Sequence, residues 1–293
     1  MKRYLGEIGL IVTAVIWGSG FVASAVSLGY YSPYQILAGR FMIGAILLML
    51  VFHKSLLKLN KNTIWRGAVL GVFLYMAFAL QTVGLQYTTP SKNAFLTAIN
   101  VVIVPFIAFF LYKRKINLFD MTGAVLAIIG VAAMSLQWSA EINIGDLLTL
   151  CCAIGFAFHI FYTAKFVGEA DAILLTIIQM VTAGFIGATV VLFRGEMAFS
   201  TAGEGVFNLL YLAVFSTTIA YLLQTVGQKY VSETKAAIIL STESLWGMAF
   251  SIIFIHEVLT IRMAIGACII LAAILISETK LNFLRKPISK EVA

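Results

Sequence analysis

The sequence predicts an all-α integral membrane protein of ten transmembrane helices, arranged as two inverted five-helix repeats with both termini on the cytoplasmic side. Three observations carry that prediction. Hydrophobic residues make up 61% of the 293 residues and charged residues 11%, totals that no ordinary soluble domain reaches. Apolar stretches of about 20 residues, enough to cross roughly 30 Å of hydrocarbon, recur along the whole chain. The eight residues Leu80 to Tyr87, LQTVGLQY, return as LQTVGQKY at Leu223 to Tyr230, with six of eight positions matching at an offset of 143. One structural unit is therefore used twice.

The spans follow in order. The first, 5–27, comes after Lys2 and Arg3. Its Ala23-Ser24-Ala25 imitates a signal-peptidase site, but the apolar run is too long for a signal sequence and nine spans follow, so it is helix one. The second, 33–52, opens on Pro33 and carries Arg40. The third, 65–85, ends in the repeated motif with Gln81, and the fourth, 92–112, holds Asn100. The fifth, 118–136, contains Gly123-Ala124, which the register of 143 matches to Gly266-Ala267 in the tenth, 261–277. The sixth, 146–167, carries His159, and the seventh, 172–193, carries Gln179. The eighth, 206–226, ends in the second copy of the motif with Gln224, and the ninth, 232–255, holds Glu243. Lipid admits only helices or closed barrels, and these continuous apolar runs lack the ten-residue alternation of barrel strands. The organisation is residues 1–139 as the first repeat, 140–280 as the second, and 281–293 as a basic cytoplasmic tail.

Lysine and arginine orient the bundle. With the N-terminus inside, fifteen basic residues fall on cytoplasmic segments and three, Lys92, Arg194 and Arg262, on the other side. Arg40 and Lys235 lie within or at the start of spans. The net charge of +7 is thus mostly a topology signal, and no soluble domain is present to make it a nucleic-acid surface. Five spans per copy is odd, so the second copy enters the membrane upside down relative to the first. Inverted repeats of this kind let two halves exchange conformations around a site near the midplane, which is the architecture of alternating access. The first and sixth spans align at 139 rather than 143, matching Arg40 to Gln179 and Trp17 to Phe156. The shift requires a small insertion, which loops accommodate.

Enzymatic chemistry finds little footing. Cys151, Cys152 and Cys268 sit inside spans without metal-ligand spacing, and no P-loop, zincin or nucleophile-elbow pattern occurs. No cofactor is expected. The partners expected are a small-molecule substrate and the lipid bilayer, with no nucleic acid. One chain of ten spans suffices for a cavity, so a monomer is sufficient and a dimer possible.

The run Ile16-Trp17-Gly18-Ser19-Gly20-Phe21, the second span opening on Pro33 with Arg40-Phe41, and Ala220-Tyr221 in the eighth form an ordered set. It continues through Ser241-Thr242-Glu243-Ser244, His256-Glu257-Val258-Leu259-Thr260 and Gly266. Over essentially the whole chain this resembles the EamA family of the drug/metabolite transporter superfamily, as two EamA units. The resemblance implies secondary active export of small metabolites, often amino acids or related compounds, across the cell membrane. Three departures stand out: Ser244 where many members have Pro after the ninth-span Glu, Arg114 where the fourth span ends on Glu, and Asn100 at the place matching Glu243.

Arg40 and Glu243 are the charges deepest in the spans, and intramembrane charges are functional candidates by default. At 1.5 Å per residue Arg40 lies about 10 Å from the outer face and Glu243 about 16 Å from the inner one. The two heights are close enough to permit pairing. Arg40 is expected as a structural or substrate-carboxylate partner, and Glu243 as a cavity-facing group open to proton coupling, the alternative being a buried ion pair. Trp17, Tyr75, Asn100, His159, Gln179, Tyr221 and Trp246 complete an aromatic and amide-rich cavity wall. Gln81 and Gln224 either bond neighbouring helices or face the two cavity mouths. Proton-coupled multidrug efflux is the competing transport function.

Overall fold

The structure is a computed structural model that describes residues 2–113, 115–135, 143–231 and 233–280, with 2, 3, 233–235 and 237 described by backbone alone. Arg114, the expected repeat boundary at 139/140, the end of the fifth span at Leu136 and the tail 281–293 lie outside the described residues. Within them ten helices are long and apolar enough to span a membrane, and no strand occurs. They are α1 (Lys2–Ser27), α2 (Pro33–Val51), α3 (Lys61–Leu85), α4 (Pro90–Ala98 and Asn100–Tyr112), α5 (Leu118–Ser135), α6 (Ile144–Val167) and α7 (Ala172–Phe193). After them come α8 (Gly203–Gln228), α9 (Glu233–Ser241 and Glu243–Ile255) and α10 (Ile261–Thr279). This is a multi-pass membrane protein. Ala23, Ser24 and Ala25 lie within the unbroken α1.

Polar caps fix where the helices start, and α3 and α6 begin four and two residues before their apolar stretches. Asn60 accepts from Thr63 N to start α3, Asn143 from Gly145 N and Asp146 N to start α6, and Asp171 from Ile173 N and Leu174 N to start α7. Ser32 and Gln35 close a capping box on α2, with Pro33 in its first turn.

Three spans expected to be continuous helices are irregular. In α4 and α9 the ladder tightens to three-residue bonds, Ile99 N to Leu96 O and Thr242 N to Ile239 O, so each helix is interrupted at its middle. In α9 the hydroxyls of Ser241, Thr242 and Ser244 compete for carbonyls three residues back. Pro105 further weakens the second piece of α4. The two interruptions are 143 apart. So are the left-handed residues that end the same helices, Lys113 at φ 56° and His256 at φ 53°. The third irregularity is a π-helical stretch, Leu212–Ile219, inside α8.

Small residues set the closest approaches, as expected where lipid supplies no hydrophobic drive between helices. Gly84 of α3 meets Gly145 of α6, and Gly227 of α8 meets Gly6 of α1. Along α5 and α10, Gly123 packs on Ala273 and Ser277 while Gly266 packs on Gly130 and Met134. Phe41, Phe78, Phe156 and Met180 form the centre of the largest buried cluster, between α2, α3, α6 and α7. The bundle has two ends: a near end where α1 begins and a far end where it finishes.

Candidate functional site

The interrupted helices bring polar groups to the middle of the bundle, where a cavity of about 670 Å³ runs between the two halves. Its mouth is at the near end, beside the exposed Lys115, Lys165 and Lys280, and its depth reaches Gly20, Ser24 and Arg40 toward the far end. Asn100 and Glu243 stand on its wall, each the first residue after its helix break. Half-helix N-termini of this kind direct backbone N–H groups toward a site.

Arg40, on α2, is 2% exposed. Its Nε donates to Thr217 Oγ1 at 2.9 Å and an Nη donates to Ser216 Oγ at 3.2 Å. Its guanidinium carbon lies 4.3 Å from the Phe78 ring centre, a cation–π contact in a dry setting. Glu243 is 9% exposed, lines the same cavity, and has no hydrogen bond or ion pair among the described residues. The Arg40–Glu243 pairing permitted by depth does not form: both side chains face the cavity separately, and the guanidinium takes hydroxyls instead. Aromatic rings join them. Trp17 and Tyr221 lie 5.2 Å apart between centres, Phe78 and Phe156 5.0 Å, and Trp17 Nε1 donates to Ser216 O at 3.0 Å.

Of the eleven candidates, Trp17, Arg40, Gln81, Asn100, His159, Tyr221, Gln224 and Glu243 line this cavity. Gln81 donates to Thr97 Oγ1 at 3.0 Å, so it bonds a neighbouring helix and faces the cavity at once. Three candidates lie off the wall. Gln179 stands behind His159, accepting from its Nε2 at 2.8 Å. Tyr75 is buried in the α2–α3 cluster, and Trp246 is 40% exposed on the outer face of α9, stacked on Phe250. Depth along a helix is readable from sequence; azimuth around it is not when every face is apolar. Ser216 and Thr217 were missed for the same reason, although two adjacent hydroxyls one turn before Ala220-Tyr221 were the available signal.

The far end is closed by polar clasps. Asp146, fully buried, accepts from Thr88 Oγ1 and pairs with Lys92 Nζ at 3.3 Å. Glu257 Oε2 accepts from Ser91 N at 3.2 Å, from Ser91 Oγ at 2.8 Å and from Ser251 Oγ. The segment after α7 straps across α1 and α2: Gln35 Nε2 donates to the carbonyls of Glu196 and Ala198, and Tyr31 donates to that of Ser200. The Ser32 hydroxyl, and then Arg194 beside it, hold the Glu196 carboxyl below its ordinary range. A bond to Glu204 holds the Tyr30 phenol above its own. At the near end the described ties include Arg66 to Glu169 and Lys165 to Tyr112, both at the surface.

Comparison with known proteins gives this arrangement a family. The model of the EamA-like transporter family matches residues 4–136 and again 143–279. An uncharacterized transporter from Archaeoglobus fulgidus is 32% identical over 279 residues, covering 94% of this chain and 86% of its own length. The uncharacterized transporter YyaM from Bacillus subtilis is 26% identical, covering 94% of both chains. A crystal structure with 13% sequence identity superposes at a TM-score of 0.70 over 96% of this chain and 99% of its own, a likeness of fold alone.

Proposed function

The chain belongs to the EamA-like transporter family, one of transporters rather than enzymes, and we propose that it is a secondary active transporter exporting small metabolites, amino acids or related compounds foremost, across the cytoplasmic membrane by alternating access. The observation that carries this reading is the cavity, polar at its midpoint, open at the near end and clasped shut at the far end. A site reachable from one side only is what one state of an alternating-access cycle requires.

The reading includes two inverted repeats, 1–139 and 140–280, with both termini cytoplasmic. Features recurring at the offsets of 139 and 143 support the inversion. Gly6 with Gly227 corresponds to Gly145 with Gly84, and Trp17 with Tyr221 corresponds to Phe156 with Phe78. The double match to the family model supports the repeat itself. The near end carries most of the loop lysines and arginines, which supports assigning it to the cytoplasm, so that the state described is inward-facing.

Proton-coupled multidrug efflux is kept as a second reading because Glu243, with no hydrogen-bond or ion-pair partner among the described residues, presents its carboxyl to a cavity walled by Trp17, Phe78, Phe156 and Tyr221. Purified protein in sealed vesicles, assayed with a panel of amino acids and cationic dyes, separates the two. Flux of amino acids supports the first reading, and flux of dyes driven by a pH gradient and abolished in Glu243→Gln supports the second. Absence of flux for every solute counts against transport by this chain.

A further inference from the structure

We propose that Arg40, held by the hydroxyls of Ser216 and Thr217, is a recognition site for a single carboxylate of the transported solute, and that Gly20 positions it. This rests on the transport reading and adds the chemical group that the cavity reads.

The guanidinium has five N–H donors, of which two reach hydroxyl oxygens, and no carboxylate neutralises it among the described residues. A nearly buried cation in that condition is expensive unless an anion arrives. The hydroxyls point to the same conclusion. Other hydroxyls in these helices, at Thr13, Thr176, Thr218 and Thr225, donate back to a carbonyl of the preceding turn. Ser216 and Thr217 accept from Arg40, and their own protons have no acceptor among the described residues. Donors without acceptors thus converge on one end of a cavity in which Arg40 and Ser216 are both lining residues. One positive charge matches one carboxylate; a dianion would leave a charge unbalanced.

Gly20 is required for this geometry. A Cβ added there would stand 2.8 Å from Ser216 Oγ and displace the hydroxyl that holds Arg40. The other half of the chain makes the opposite choice. At the offset of 139, Gln179 stands for Arg40 and His159 for Gly20, and these two are already bonded to each other at 2.8 Å. The cavity therefore has one anion-reading wall, contributed by α1, α2 and α8.

Isothermal titration of the full chain in detergent micelles, using matched pairs such as alanine with alaninamide and lactate with lactamide, tests this without any variant. Carboxylates should bind at least tenfold more tightly than their amides. In Arg40→Gln that ratio should fall to within twofold, chiefly through loss of carboxylate affinity, and Gly20→Ala should reduce it in the same direction. Equal binding of acid and amide by the unmodified chain, no binding of any carboxylate, or a tenfold ratio surviving in Arg40→Gln overturns the proposal. Vesicle flux is scored separately: flux without discrimination removes the subsite and leaves transport standing, whereas discrimination without flux does the reverse.

Discussion

The two ends of the bundle hold themselves together differently. At the far end the buried Asp146 and the half-buried Glu257 gather donors from neighbouring helices and loops, and a strap crosses α1 and α2. At the near end the ties described include surface pairs between flexible side chains, and the cavity opens beside them. Buried charged hydrogen bonds carry more free energy than exposed ones. In the proposed alternating-access cycle the closed end is therefore the one whose opening must be driven, with substrate binding supplying the differential free energy.

The largest test removes a clasp. Glu257→Ala leaves three donors of Ser91 and Ser251 without their acceptor and is expected to lower stability by about 3 kcal/mol, read from unfolding in mixed micelles. A loss near zero would mean that the far end is not held by this carboxylate. Next comes the glycine pair shared by both ends. A Cβ at Gly145 would meet backbone at 2.5 Å and 2.8 Å, whereas one at Gly6 meets nothing nearer than 3.1 Å. Gly145→Ala should cost about 2 kcal/mol and Gly6→Ala about 1 kcal/mol or less in the same assay; equal costs would erase the difference in tightness.

Arg66→Gln at the near end is expected to cost only about 0.5 kcal/mol, since both partners are partly exposed, and that cost should shrink as salt is added. The smallest effect is in the strap. Because the folded Glu196 carboxyl titrates below its ordinary range, its contribution is complete above the unfolded value near about 4.3 and fades as pH falls through the folded one. Thermal unfolding followed from about pH 6 to about pH 3.5 should lose part of its acid slope in Glu196→Gln. An unchanged slope would show that the strap does not feel this group.

Much of the architecture was legible in the chain because the membrane imposes length and apolarity on each span. Eight of eleven candidate residues line one cavity, since polarity at mid-span is costly and marks a wall that lipid does not touch. Trp246 failed as a candidate because an aromatic at that depth is equally at home facing lipid. The breaks at Ile99 and Thr242 were not legible: neither Gly nor Pro stands there, and the competing hydroxyls of α9 have no counterpart in the sequence around Ile99. The clasps escaped because Asp146 and Glu257 sit at span ends, where a carboxylate is unremarkable until its partners are known.

If the two halves are the inverted repeats proposed above, the wide turn in α8 bears on how they differ. Gly67 packs on Ile178 and Gly39 on Leu209, so with residues 39 and 178 corresponding at 139, residues 67 and 209 correspond at 142. Beyond the π-helical stretch Leu212–Ile219 the motif pairs Gly84 with Gly227, at 143. One residue of the mismatch assigned to loops is thus wound into the membrane itself, and α8 spans 26 residues where α3 spans 25. On that reading the extra residue is taken up as slack within one helix, in the stretch whose Ser216 and Thr217 accept from Arg40. Deleting one residue there restores the register of α3 and asks whether the two halves can be made alike again.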